Sequence, residues 1–179
     1  MLNLESIGRE LPPGQPFRRP PTERWQPEHC GDIDIRIDAQ GQWFHEGLPI
    51  RRAGLLRLLA SVLVREEGNY WLKTPVEKMR IQVDDAPFVV QELNRTDTGV
   101  AMVTNVGEVL ALSSPWTLQE DPDGELRPWI ALTDTLGARL SRNLFYHLSH
   151  EAVNQTPDAS SGDILYWPAG GQQWPLGRL

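Results

Sequence analysis

Arg51 and Arg52 stand together ahead of the leucine-rich run 55–64, and Lys73, Thr74 and Lys78 surround the step Thr74-Pro75-Val76-Glu77-Lys78. Guanidinium groups at a helix start can hold an anion, because the unpaired backbone amides and the helix dipole there carry partial positive charge. A threonine hydroxyl and the amides beside a proline add neutral donors, and lysine adds a point charge. The set Arg51, Arg52, Thr74 and Lys78 is therefore read as a site for an anionic group. His45 would supply a hydrogen bond and Trp43 a stacking face. Arg139 and Arg142 place further cations on an expected second helix. Each residue alone is ordinary surface charge; their grouping points to a phosphate-bearing small ligand.

Other constellations are weaker. Asp84-Asp85 with His45 would make a hydrolase, one of the aspartates acting as base. A turn before Pro87 uses the same aspartates without chemistry. His147 and His150 share a helix face as metal ligands can, but no HExxH accompanies them, so no metal is expected. His29-Cys30 would need thiol and base to meet in space, which adjacent residues rarely do. Asp32, Asp34 and Asp38 fall on the outer face of a strand, where close carboxylates mean only a solvated surface. No Gly-rich phosphate loop, dinucleotide fingerprint or G-x-S-x-G is present, so nucleotide-hydrolysing P-loop, Rossmann and serine-hydrolase readings fall. No catalytic residue and no cofactor is expected.

The bulk numbers agree with a modest globular protein. The chain has 179 residues, 40% of them hydrophobic, with seven tryptophans and a formal charge of −7. That charge disfavours a general nucleic-acid surface, which needs a clustered excess of Lys and Arg. With Cys30 the one cysteine, neither an internal disulfide nor a four-cysteine zinc site can form. The apolar run 55–64 contains Arg57 and falls short of the ~20 residues of a membrane span. The N-terminus lacks a basic segment followed by an apolar core, and a cytoplasmic location is expected.

These side chains must be carried by elements. Prolines 12, 13, 16, 20, 21 and 27 predict an extended arm over residues 1–30. Ile33, Ile35 and Ile37 alternate with polar residues, which predicts a strand; Asp38-Ala39-Gln40-Gly41 turns it into a partner over 42–45. The spacing of Leu55, Leu58, Leu59, Val62 and Leu63 predicts a helix over 51–66, followed by a strand over 70–74. Residues 31–77 would form an N-terminal α+β repeat. From residue 78, six short strands (78–84, 88–93, 100–105, 108–112, 116–120 and 126–132) predict an antiparallel meander. Leu136, Leu140, Leu144 and Leu148 predict a closing helix over 134–150, capped by Thr133 or Asp134, before a polar loop and a last strand over 162–167.

The chain repeats itself weakly. The turns Asp38-x-x-Gly41 and Asp121-x-x-Gly124 lie 83 residues apart, as do Gly54 and Gly137 near the two expected helix starts. A Gly-led aromatic strand follows each helix, at Gly68–Leu72 and Gly162–Trp167. Self-similarity of spacing and element order points to an internal duplication.

The segments CGDIDIRIDAQGQWFHEGLPIRRAGLLRLLASVL and YWLKTPVEKMRIQVDDAPF resemble the proteobacterial family named Domain of Unknown Function 1285, over roughly residues 25–150. The resemblance implies a duplicated α+β core whose second half, residues 78–179, is similar to pleckstrin-homology-like folds. It also implies a small, nucleotide-like ligand at the domain interface and a role in signal transduction. Glu120 stands where the first copy has Ile37, which weakens transfer of residues between the halves. Taken together, the expectation is two duplicated α+β domains forming a non-enzymatic protein that binds a small anionic ligand. The alternative is a scaffold in which an open strand edge of the second domain docks a protein or peptide partner.

Overall fold

The computed structural model describes residues 17–97, 99–155 and 164–178. Two compact units divide it: residues 1–84 with 106–108, and residues 85–105 with 109–179. Of the described residues 49% lie in strands and 17% in helices, so the chain is mostly β rather than α+β.

In the first unit a 3-10 turn, Thr22–Arg24, precedes six strands and one helix. The strands are β1 (His29–Ile37), β2 (Trp43–His45), β3 (Leu48–Pro49), β4 (Leu63–Glu66), β5 (Asn69–Lys73) and β6 (Glu77–Val83). Helix α1 (Ala53–Ser61) lies between β3 and β4 in the chain. The sheet order is β3-β2-β1-β6-β5-β4, with β1 and β6 parallel and every other pair antiparallel. The expected alternation of β1 is seen: Ile35 and Ile37 are buried, and Trp43, Leu59, Leu63 and Leu72 join them in the core.

The helix expected over 51–66 stops at Ser61. Glu67 and Gly68 both adopt positive φ (52° and 80°), the backbone of a two-residue hairpin whose twist matches paired strands. Glu66 therefore faces Asn69 and Leu63 faces Leu72, and this pairing draws the end of the leucine run, with its β-branched Val64, into the sheet. Glu46-Gly47 repeats the device between β2 and β3, with φ of 49° and 76°.

The second unit holds β7 (Phe88–Thr96), β8 (Gly99–Thr104), β9 (Val109–Ala111), β10 (Trp116–Glu120), β11 (Leu126–Ala131) and β12 (Gly137–Leu140), then α2 (Arg142–Gln155). Strands β13 (Ile164–Ala169) and β14 (Gln172–Arg178) form a separate hairpin. The sheet order is β10-β11-β12-β7-β8-β9, with β12 and β7 parallel. This overturns the pleckstrin-homology-like expectation of an antiparallel meander. The strand over 78–84, expected to open that meander, is β6, held between β1 and β5 of the first sheet. Within the helix expected over 134–150, residues 137–140 form β12 and the helix begins only at Arg142. A Cβ on Gly137 would lie 2.2 Å from the Trp129 ring, so the bare glycine lets β12 carry the indole against its backbone. The Thr133 hydroxyl accepts from the amides of Thr135 and Leu136 in the loop before β12, and the Ser141 hydroxyl accepts from Leu144 N at the start of α2. The loop expected after the second helix falls partly on residues 156–163, outside the described residues, as do Gly162-Asp163 and the arm before Phe17.

Duplication is present, in a different register from the one the turns indicated. Each sheet is two three-stranded meanders joined by parallel pairing of the first strand of one with the last strand of the other. Asp84 N donates to Ile37 O (3.0 Å) after β6, and Ser141 N donates to Val90 O (2.8 Å) after β12, the same bond at the same topological place. The two Asp-x-x-Gly turns are alike down to their hydrogen bonds: Asp38 Oδ1 accepts from Gln40 N and Gln42 N, Asp121 Oδ1 from Asp123 N and Glu125 N. Yet one joins β1 to β2 and the other β10 to β11, which are not equivalent strands. Gly54 lies in a helix and Gly137 in a strand.

Candidate functional site

The β2–β3 hairpin and the start of α1 gather four of the six expected binding residues. Ile50 N donates to Trp43 O (2.8 Å), which sets Trp43 opposite the residue that precedes Arg51-Arg52. Both arginines are exposed. Arg52 is the N-cap of α1 in an extended conformation, with no side-chain capping bond, and the first turn holds no acidic residue. Around Gly54, in that turn, a Cβ would meet nothing within 4 Å. The helix thus begins with two cations at the end where its dipole favours an anion. His45 is exposed beside the hairpin turn, opposite Leu48. Trp43 is 2% exposed and packs in the core, so it presents no stacking face; its Nε1 is buried without a hydrogen-bond partner.

Thr74 sits in the β5–β6 connection and Lys78 near the start of β6, and both are already engaged. Thr74 is buried, and its Oγ1 donates to Glu77 O (3.1 Å) while accepting from Glu77 N (3.0 Å) and Val76 N (3.3 Å). The hydroxyl closes the turn that Pro75 starts. Lys78 Nζ pairs with one carboxylate oxygen of Glu66 while Lys73 Nζ takes the other at 2.9 Å, and Lys78 lies 4.3 Å from the Trp71 ring centroid. The hydrogen bond from Lys78, then that from Lys73, holds the Glu66 carboxyl below the usual range. In the sheet, β1 lies between β2 and β6, so the six residues form two groups.

Arg139 and the aspartate pair are held in ion pairs. Arg139 lies on β12, not on a helix, and is 7% exposed. Its guanidinium donates to Asp85 (3.1–3.2 Å) and to the carbonyls of Gln119 (3.0 Å), Glu120 (2.8 Å) and Arg127 (3.1 Å). Pro128, in the interior strand β11, has no N–H to give, and Arg139 brings donors to the backbone around it. Asp84 is paired with Arg36 through both carboxylate oxygens. Each carboxylate of the pair is thus clamped by an arginine of its own unit. His147 and His150 are exposed on α2, and among the described residues no group of three His, Cys, Asp or Glu is arranged to hold a metal.

Sequence reasoning missed Glu66, the carboxylate shared by both lysines, and Arg19. Arg19 donates to Ala60 O near the end of α1 (3.0 Å) and pairs with Glu108 (2.7 Å). The Glu67-Gly68 hairpin signal would have placed Glu66 beside Lys73; nothing local announces a partner 89 residues away.

Two family models match the chain. The N-terminal domain of DUF1285, a domain of unknown function, covers residues 20–86, and the C-terminal domain of the same protein of unknown function covers residues 87–176. A crystal structure of a DUF1285 family protein from Silicibacter pomeroyi DSS-3 is similar at 33% identity and TM-score 0.74, over 98% of this chain and 95% of that one. One from Shewanella baltica OS155 is similar at 28% identity and TM-score 0.52, over 63% of this chain and 87% of that one. None of the curated proteins matches. With both domains matched in order and nearly the whole chain covered, the protein belongs to the DUF1285 family.

Proposed function

We propose that this protein is a non-enzymatic binding protein for a small anionic, nucleotide-like ligand, taken at the start of α1. One observation carries the reading: exposed Arg51 and Arg52 open a helix that has no side-chain cap and no acidic residue in its first turn. Cations there oppose the helix dipole, so the arrangement costs helix stability unless an anion relieves it. Arginine suits a phosphate or carboxylate, because its planar fork binds two oxygens at once. Lys78 and Thr74 drop out of the direct contacts, since Glu66 and the β5–β6 turn occupy their polar atoms.

The test is a thermal-shift panel of nucleotides, sugar phosphates, pyrophosphate and dicarboxylates on wild type and the Arg51→Ala/Arg52→Ala variant. A ligand at millimolar concentration with micromolar affinity stabilises by about 4 kcal/mol. We expect a clear upward shift for at least one anion in wild type, lost in the double variant and retained in Lys78→Ala. A flat response across the panel, or a shift that survives loss of both arginines, would overturn the proposal.

A further inference from the structure

We draw no further inference here: the strongest candidate, the solvent-facing patch of Tyr146 and Val153 on α2, carries nothing because nothing in the structure shows what covers it.

Discussion

Single residues in this protein divide by how completely their charge is enclosed. Arg139 is buried with Asp85, and its remaining donors serve backbone carbonyls around Pro128. Removing one member of such a pair leaves the other uncompensated. Arg139→Leu should therefore cost about 3–5 kcal/mol in urea denaturation. Asp85→Asn should be strongly destabilising too, whereas Asp84→Asn, whose arginine partner is largely solvated, should change little. Equal effects of the two aspartate changes would refute this division. Glu66 supplies a pH signature. Its two lysines lower its carboxyl below the ordinary 4.5, so its contribution is present above that value and lost as the pH falls through the lowered one. Acid titration of stability should show a shallower loss below pH ~4.5 in Glu66→Gln than in wild type. Glu108 works with the opposite sign, because burial raises its carboxyl: what it contributes is present in acid and fades as the pH rises.

At the scale of elements, local chemistry decides where strands begin and how closely they approach. Gly137 is the sharpest case, because the Trp129 ring occupies the space of any side chain there. Gly137→Ala should destabilise by about 1–3 kcal/mol, the usual cost of overpacking. Adding Trp129→Val should recover part of it in a double-mutant cycle; strictly additive losses would show that the clash is not the cause. The helix boundaries teach a related lesson. Leucines spaced three and four apart announced both helices, yet α1 ends at Ser61 and residues 137–140 are a strand. Hydrophobic spacing over so short a run fits either element. The hairpin at Glu67-Gly68 and the contact of Gly137 with Trp129 break the tie.

For the whole molecule, the second unit keeps every strand of its sheet, β7 to β12, together with α2 and the β13–β14 hairpin. Its buried residues include Phe88, Val90, Met102, Ile130, Leu148, Trp167 and Leu176, a core spanning sheet, helix and hairpin. A fragment of residues 85–179 should unfold cooperatively, with a β-type circular dichroism spectrum. A gradual, non-cooperative melt would show that this core is insufficient alone.

The sequence by itself determined the strand over Ile33–Ile37, the two Asp-x-x-Gly turns and the family. The strand and the turns rest on residues within a few positions of one another, and the family on continuous segments of the chain. Only the tertiary structure decided that β1 joins β6 and that β7 joins β12, which turned two expected α+β repeats into two mixed sheets of one topology. It also decided that Lys78 belongs to Glu66, Asp84 to Arg36 and Asp85 to Arg139. Parallel pairing and cross-strand ion pairs join residues far apart in the chain, so no local period records them; the helix start after Arg52 was legible because it is a local event.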